Sequence, residues 1–296
     1  MNGRYAPSPS GDLHVGNLRT AMLAWMFARS TGRGFRMRVE DLDRVRPGAQ
    51  ERQLADLAAL GIDWDPPVVL QSSRQADYAD AVATLAARGL TYECFCTRRE
   101  IAEAASAPHG VPGHYPGTCR RLSDAEREAR RSQRPAALRL ASDVDEFAVH
   151  DVLHGTVTGP VDDLVLVRND GVAAYNLAVV VDDAAMDVDQ VVRGDDLLTS
   201  APRQAYLATL LGITPPEYAH VPLALNTEGK RLAKRDGAVT LADLEALGWT
   251  SADLVAAIAD SLGMSARDAA GMLAEFDPAA LPRTPWVFVP PEAPAA

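Results

Sequence analysis

Lysines, cysteines and long apolar runs are scarce or missing in this chain. Two of its 29 basic side chains are lysines, and three of its 296 residues are cysteines. No apolar run is long enough to cross a membrane, and no charged segment followed by an apolar one marks a secretion signal. Three clustered cysteines suit reduced thiols or metal ligands better than a disulfide framework. We therefore expect a cytoplasmic protein without a membrane partner.

The chain also lacks the positive charge of a general nucleic-acid-binding protein. Its formal net charge is −11, whereas such proteins are normally basic. A local basic surface remains compatible with this balance, because arginines gather at 98–99, 120–121 and 126–134. The alternative for such a stretch is a solvated helix face. The remaining composition, 47% hydrophobic and 23% charged, is that of a globular protein.

The two lysines stand together, as Lys230 and Lys234 in the segment GKRLAKRDGA. A lysine ammonium is a compact charge on a flexible stem, which suits contact with a phosphate group. Chance placement in a lysine-poor chain is the alternative. The pairing of this segment with a second phosphate-binding feature would decide between the two.

The stretch RYAPSPSGDLHVGN, residues 4–17, supplies that second feature. Its prolines and glycine exclude a helix at first, but apolar residues recur at helical spacing from Gly16 to Arg29. His14 therefore lies on the turn entering a helix, where unpaired N–H groups and the helix dipole favour an anion. Alone, His14 would as readily be a helix cap or a surface residue. Together with Lys234 it predicts a phosphate site.

Strand-like segments follow in both halves of the chain. GFRMRVEDLD alternates apolar and polar residues and places Glu40 at the carboxyl end of a strand. MDVDQVVRGDDLL ends a second strand at Arg193 and Gly194, and Pro202 opens the next helix. This order predicts an α/β fold with a parallel sheet and crossover helices. Ligands of such sheets bind outside the carboxyl ends of the strands.

The residues between these halves differ in character and predict an insertion. The cysteines lie in a proline- and glycine-rich loop at 94–121, and 136–183 carries short strand-like runs such as LVLVRNDG and NLAVVVDD. After residue 240 the pattern becomes helical. The predicted domains are two halves of one catalytic domain at 1–80 and 184–240, the insertion at 81–183, and a helical region at 241–296.

In this order the segments resemble the glutamyl-type class I aminoacyl-tRNA synthetases. RYAPSPSGDLHVGN is similar to their ATP-binding histidine–glycine motif, and RLAKRDGA is similar to their lysine motif. LVLVRNDGVAAYNLAVVVDD, VVRGDDLLTSAPRQAYLATLLG and EYAHVPL resemble the segments between. Asn17 departs from the second histidine of the first motif, while Arg231 and Ala233 depart from the lysine and serine of the second. The resemblance implies a class I Rossmann-type parallel sheet, split by a zinc-containing insertion and followed by a short stem-contact-like helical region.

The resemblance further implies a reaction and its residues. Glutamate would react with ATP, accompanied by Mg²⁺, to give glutamyl-adenylate, with His14 and Lys234 stabilising charge on the phosphates. The implied ATP-binding residues are Pro7, Ser8, Pro9, Gly11, His14, Gly16, Asn17, Arg231 and Lys234. The implied glutamate-binding residues are Arg4, Tyr5, Ala6, Pro7, Ser8, Glu40, Tyr175 and Arg193. Without the resemblance, Tyr175 would as readily be a core aromatic residue, and Arg193 a surface turn.

The cysteines CFC at 94–96 and HYPGTC ending at 119 make a candidate zinc site. Cys94, Cys96 and Cys119 offer three soft ligands, and structural zinc takes four in a tetrahedron. Inert buried cysteines are the alternative. Imidazole chemistry favours His114 as the fourth ligand, whereas the resemblance implies Tyr115. Both stay candidates, and the prediction takes Tyr115 in a structural site.

About 60 residues follow the lysine motif, too few for the anticodon-binding domain of a full-length glutamyl-tRNA synthetase. The chain thus resembles the truncated relatives that activate glutamate without tRNA and transfer it to queuosine at the wobble position of tRNA(Asp). The implied partners are ATP, L-glutamate and the anticodon arm of that tRNA, and a monomer is expected. The alternatives are a compact glutamyl-tRNA synthetase charging a tRNA 3′ end and a non-catalytic synthetase-like binding or regulatory module.

Overall fold

Strands and helices alternate through both halves of the chain, as predicted. The computed structural model describes residues 1–97, 99–101, 115–230, 232 and 239–290. The helices it describes are α1 (Val15–Ser30), α2 (Ala49–Ala59), α3 (Gln75–Ala87), α4 (Asp124–Arg131), α5 (Tyr175–Ala185), α6 (Ala201–Leu210), α7 (Leu241–Ala246), α8 (Ser251–Ser261) and α9 (Ala269–Glu275). Short 3₁₀ helices lie at Gln71–Arg74, Asp195–Ser200 and Pro278–Ala280. The strands are β1 (Asn2–Tyr5), β2 (Gly34–Val39), β3 (Asp65–Leu70), β4 (Thr91–Cys94), β5 (Ala137–Leu140), β6 (Glu146–Asp151), β7 (Gly155–Pro160), β8 (Val165–Val167), β9 (Gln190–Gly194), β10 (Glu217–Val221), β11 (Ala224–Leu225) and β12 (Trp286–Val287).

A parallel sheet forms the centre of the molecule. Strands β1, β2 and β3 pair in parallel, as do β9, β10 and β6, while β7 is antiparallel at the edge. A bridge between Asn2 and Val188 joins the two groups, with Asn2 N donating to Asp187 O over 3.0 Å and Asp189 N to Asn2 O over 3.1 Å. The strand order is therefore β3-β2-β1-β9-β10-β6-β7, which confirms the predicted α/β parallel sheet.

The order in which strands are added to this sheet changes direction between β1 and β9, although these two strands are parallel. From β1 the chain builds outward to β2 and β3, whereas β9 is followed on its other side by β10. Such a switch point opens a crevice at the carboxyl ends of the two central strands. These ends are Tyr5 and Gly194. The fold thus brings together residues almost 190 positions apart in the sequence.

Helix α1 is buried along most of its length. The predicted apolar positions Leu18, Met22 and Met26 are fully buried in one core with residues of β1, β2 and the C-terminal helices. Leu254 and Ile258 of α8 belong to the same core. The helical pattern predicted after residue 240 is confirmed by α7, α8 and α9. The C-terminal segment therefore braces the helix that leads away from His14.

The insertion contains a separate three-stranded antiparallel sheet, β4-β5-β8. The cysteine cluster adjoins the end of β4, and β8 forms where LVLV predicted a strand. Strands β6 and β7 also fall within the predicted range 81–183, yet Asp151 of β6 pairs with Tyr218 of β10 in the central sheet. The domain boundaries stay a prediction.

The run NLAVVVDD, predicted as strand-like, is helical instead and forms most of α5. Its valines favour a strand locally, but a short apolar run suits a buried strand and a buried helix equally well. In α5, Leu177 and Val180 enter a hydrophobic core with α3 and α6. Tertiary burial here overrides the local β-propensity of valine.

Among the residues that the structure describes, no helix is long and apolar enough to span a membrane.

Candidate active site

A cavity of about 590 Å³ lies at the carboxyl ends of β1 and β9. This volume is in the range of small-molecule sites. Its walls include these predicted glutamate- and ATP-binding residues: Arg4, Tyr5, Ala6, Pro7, Ser8, Gly11, His14, Gly16, Asn17, Glu40, Tyr175 and Arg193. Pro9 is buried outside the lining, and its carbonyl accepts a hydrogen bond from Arg46 N. Arg231 and Lys234 lie outside the described residues.

The loop after β1 is fixed from two sides. Gln53 of α2 is buried and donates its side-chain amide to Ser8 O over 3.0 Å and to Gly11 O over 2.6 Å. Glu40 N donates to Pro7 O over 2.9 Å. These hydrogen bonds satisfy the loop carbonyls and thereby hold the shape of the loop. No local pattern around Gln53 indicates this role.

His14 is the N-cap of α1. Its Nδ1 accepts from Asn17 N over 3.2 Å, and the Asn17 side chain accepts from His14 N over 3.3 Å, which completes a capping box. Because Nδ1 accepts a hydrogen bond, a neutral His14 carries its proton on Nε2. Gly16 packs so closely that a Cβ there would meet Ala224 Cβ at 3.1 Å and the His14 ring at 3.2 Å. His14 therefore lies at the predicted helix entrance and is also the helix cap, which was the alternative to a phosphate-binding role.

The described residues on either side of Lys234 approach the same helix entrance. Leu232 is buried and lines the cavity. Val15 N donates to Val239 O over 2.9 Å, and His14 and Thr240 form an isolated bridge. The lysine segment is thus anchored, at its described ends, beside the histidine motif.

Arg4 reaches the cavity from the end of β1 and is held by an acidic residue of α5. Its Nε donates to Asp183 Oδ1 over 3.3 Å, and Arg38 of β2 donates to the same oxygen over 2.6 Å. Arg38 also lies 3.3 Å from Glu40 Oε1. All four groups are buried or nearly so, hence each charge depends on the others.

Burial and pairing shift the pKa values of these carboxyls in opposite directions. Burial raises the pKa of Asp183, but the charges of Arg4 and Arg38 outweigh it and hold the pKa below its usual value. For Glu40 burial dominates, so its pKa is raised despite Arg38 and Arg4. An ammonium group beside Glu40 would stabilise the ionised carboxylate. The cavity therefore holds an acidic group that gains from a cationic ligand.

A second acidic residue of α5 lies beneath this network. Asp182 is fully buried and accepts hydrogen bonds from Gln71 at 2.8 Å, Arg74 at 2.5 Å and the Tyr78 hydroxyl at 2.9 Å. Arg38 Nε lies 3.6 Å from the same carboxylate. Asp182 and Asp183 together lock α5 against β2 and α3, and so fix the start of α5 at the cavity.

Arg193 enters from the end of β9 and is buried, so it is not a surface turn. Its Nε donates to His220 Nε2 over 3.0 Å, Nη1 to Gln204 Oε1 over 2.8 Å, and Nη2 to Leu197 O over 3.3 Å. Tyr175, the first residue of α5, is 43% exposed on the cavity wall and is not a core aromatic.

The comparisons with known proteins agree with this geometry. Residues 1–279 match the family model for the catalytic domain of class I tRNA synthetases (E and Q). A Nocardia farcinica protein named glutamyl-Q tRNA(Asp) synthetase is 67% identical over 97% of this chain and 92% of its own length. One of the same name from Cutibacterium acnes is 55% identical over 88% of this chain and 76% of its own.

The chain belongs to the glutamyl-Q tRNA(Asp) synthetase family. A solved glutamate tRNA ligase from Elizabethkingia meningosepticum, in complex with its amino acid, superposes with a TM-score of 0.82 at 26% identity. The match covers 98% of this chain but 67% of that ligase. The family membership and the fold confirm the predicted synthetase architecture and ligase class.

Several residues that shape the site in this synthetase were not predicted. They are Arg38, Gln53, Asp151, Asp182, Asp183, Gln204 and His220. Asp182 and Asp183 end the apolar run of the motif segment VVVDD, and that position was the available signal. His220 stands within EYAHVPL, between apolar residues, where no local pattern marks it. Gln53 and Gln204 show no such pattern.

The predicted cysteine ligands come together in the insertion of this synthetase. Sγ atoms of Cys94, Cys96 and Cys119 lie within 4.8 Å of one another. The Tyr115 hydroxyl lies 3.3 Å from Cys94 Sγ and 3.7 Å from Cys96 Sγ, and Cys96 and Cys119 sulfurs are 3.5 Å apart. Ligand atoms around tetrahedral zinc are separated by about 3.3–3.8 Å, given zinc–ligand bonds of about 2.0–2.3 Å. The donor set and spacing therefore fit zinc, while His114 lies outside the described residues.

Proposed function

We propose that the chain activates L-glutamate with ATP in the absence of tRNA and transfers it to queuosine at the wobble position of tRNA(Asp). The observation that carries this proposal is the cavity at the switch point, where two buried arginines and Glu40 line one wall. The two relatives supply the acceptor, since both are named glutamyl-Q tRNA(Asp) synthetase.

The charges of the cavity match those of glutamate. Hydrogen bonds within the protein use two of the five N–H donors of Arg4 and three of those of Arg193. The remaining donors suit a carboxylate, because guanidinium and carboxylate groups pair in a planar, charge-assisted geometry. Glu40 then takes the substrate ammonium, and the Tyr175 hydroxyl contacts the substrate beside it. Burial of Tyr5 and, as a smaller effect, the negative charge of Glu40 raise the pKa of the Tyr5 hydroxyl, so Tyr5 stays protonated.

ATP occupies the side of the cavity formed by the loop after β1 and the start of α1. The positive dipole end of α1 favours phosphate. Nε2–H of His14 is a donor for a phosphate oxygen, and Lys234 neutralises charge from the opposite segment. Mg²⁺ accompanies the nucleotide.

Activation is a displacement at the α-phosphate. An oxygen of the glutamate α-carboxylate forms a bond to the α-phosphorus, and the bond to the β-phosphate oxygen breaks, releasing pyrophosphate. The resulting glutamyl-adenylate passes its glutamyl group to queuosine, with AMP as the leaving group. The protein contributes positioning and charge stabilisation, which dominate such reactions.

Cys94, Cys96, Cys119 and Tyr115 would hold a structural zinc ion, which ties β4 to the segment ending at Cys119. Because all four donors belong to the protein, the ion serves folding rather than the displacement. The proposal also includes that the enzyme is cytoplasmic and monomeric.

Glutamate-dependent exchange of ³²P between pyrophosphate and ATP, measured without tRNA, tests the activation step. Transfer of labelled glutamate to separated tRNAs then tests the acceptor. We expect exchange without tRNA and label on queuosine-containing tRNA(Asp) that survives removal of the 3′-terminal adenosine. Label on tRNA(Glu) that is lost with that adenosine would identify a compact glutamyl-tRNA synthetase. Absence of exchange would leave a synthetase-like binding module.

A further inference from the structure

Asp151, His220 and Arg193 stand at the ends of three neighbouring strands, β6, β10 and β9, and form a hydrogen-bonded chain. Asp151 Oδ2 lies 2.6 Å from His220 Nδ1, and Arg193 Nε donates to His220 Nε2 over 3.0 Å. His220 and Arg193 are paired directly in the parallel register. Asp151 and His220 are fully buried, and Arg193 alone of the three lines the cavity.

The chemistry of the three groups fixes the direction of every hydrogen bond. Arginine Nε has only a donor, so His220 Nε2 accepts, and the proton of the neutral imidazole is on Nδ1. That proton is donated to Asp151. The carboxylate also accepts from His220 N at 3.0 Å and, through its other oxygen, from Leu153 N at 2.8 Å and His154 N at 3.0 Å. Asp151 therefore enforces the tautomer that Arg193 requires.

We propose that His220, oriented by Asp151, is a positioning residue that sets the rotation of the Arg193 guanidinium for the substrate carboxylate. The inference rests on the proposed function, since it assigns Arg193 a carboxylate of glutamate. With Gln204 and Leu197 O holding the terminal nitrogens, the contact from His220 completes three fixed points on one planar group. A guanidinium that cannot rotate loses less entropy when it binds a carboxylate.

The arrangement makes glutamate binding sensitive to acid. Burial and the charge of Arg193 lower the pKa of His220 against the opposing effect of Asp151, so the ring is neutral at pH 7. The charged and titratable groups that face it among the described residues are Asp151, His154, Arg193, Asp195 and the stacked Tyr218. Protonation of Nε2 replaces an acceptor by a donor opposite Arg193 Nε–H. The KM for glutamate should therefore rise as the pH falls below 6.5 toward the lowered pKa.

Two substitutions separate positioning from a merely structural role. In His220→Asn the amide still reaches Asp151 but ends short of Arg193, whereas in His220→Gln the amide oxygen extends far enough to accept from Arg193. We expect His220→Asn to raise the glutamate KM about tenfold with the ATP KM unchanged. His220→Gln should stay within about threefold of the wild type and lose the rise at acid pH. Equal KM values for both variants, or an unchanged KM in His220→Asn, would overturn the proposal.

Nitrogen-15 NMR of the imidazoles gives a readout that needs no activity. In the wild-type protein without substrate, His220 should show a protonated Nδ1 and an unprotonated Nε2, assigned by the resonances missing from His220→Gln. Asp151→Asn should shift this population toward the Nε2–H tautomer. A wild type that lacks glutamate-dependent exchange would refute the proposed function, while the NMR result would still decide the tautomer. An Nε2–H tautomer in the wild type would overturn the positioning role directly.

Discussion

The switch-point cavity and the cysteine cluster are both assembled from distant segments, but different forces hold them. In the cavity, charged groups are compensated by one another, as Asp183 is by Arg4 and Arg38. In the cluster, three thiols and one phenol face each other beside a three-stranded sheet and a small hydrophobic core. The first site is held together by its own ion pairs, whereas the second has donors that gain most from a cation. Loss of a protein charge should therefore damage the first, and loss of a metal the second.

Removing the Arg193 charge should give the largest change in substrate use. We expect Arg193→Gln to raise the KM for glutamate at least 100-fold, about 2.7 kcal/mol, because a carboxylate loses a charged partner. The ATP KM and the circular dichroism spectrum should be unchanged. Arg203→Gln is the matched control, since Arg203 lies on α6 near Asp162 and outside the cavity lining. An unchanged glutamate KM would place the carboxylate elsewhere.

Neutralising Asp183 should give the largest change in stability. Asp183→Asn leaves Arg4 and Arg38 undercompensated, so we expect the free energy of unfolding in urea to fall by about 3 kcal/mol. Asp170→Asn, at an exposed carboxylate paired with Arg168, should leave the free energy of unfolding almost unchanged, because exposed ion pairs contribute little. Equal losses in the two variants would contradict the compensation argument.

The ion pairs of Asp183 with Arg4 and Arg38 should also make stability depend on pH. Because the folded pKa of Asp183 lies below its unfolded value of 3.8, its stabilisation is fully present above that value. The stabilisation is lost as the pH falls through the folded pKa. Urea titrations between pH 7 and pH 2 should therefore show a steeper acid loss in the wild type than in Asp183→Asn. Parallel curves would contradict this assignment.

Truncation of Lys234 sharpens the comparison on the nucleotide side of the cavity. Lys234→Ala should slow ATP–pyrophosphate exchange by well over tenfold, about 1.4 kcal/mol or more of transition-state stabilisation. Lys230→Ala is the matched control, because Lys230 is the other lysine of the chain and pairs with Glu228 over 2.8 Å. Near-normal exchange in Lys234→Ala would remove that residue from the mechanism.

Loss of the metal should affect exchange least. After chelation we expect bound zinc to disappear while glutamate-dependent exchange stays within about twofold, because the switch-point cavity shares no residue with the cluster.

Tyr115→Phe should weaken zinc binding at least tenfold, measured by competition with a chromogenic chelator. Tyr92→Phe, which removes from β4 a hydroxyl that donates to Asp163, is the control for the loss of a phenolic hydroxyl beside the cluster. Full zinc affinity in Tyr115→Phe would exclude the phenol as a ligand.

Features encoded by neighbouring residues could be predicted from the sequence. The turn before α1 follows from prolines, a glycine and a helical apolar pattern, and Glu40 and Arg193 follow from the ends of short strands. The role of His220 depends on β10 lying between β6 and β9, which no local pattern reports. The helix at NLAVVVDD was missed for the same reason, because only its burial against α3 and α6 selects a helix over a strand.

The contact between β1 and β9 has a consequence for synthesis of the chain. β1 is complete at Tyr5, but its neighbour begins at Gln190, so a growing chain exposes one side of β1 until much of the protein has been made. Unpaired strand edges invite pairing with other chains. The strand that carries Arg4 is therefore exposed to misassembly in truncated products, and fragments that end before Gln190 should aggregate through it.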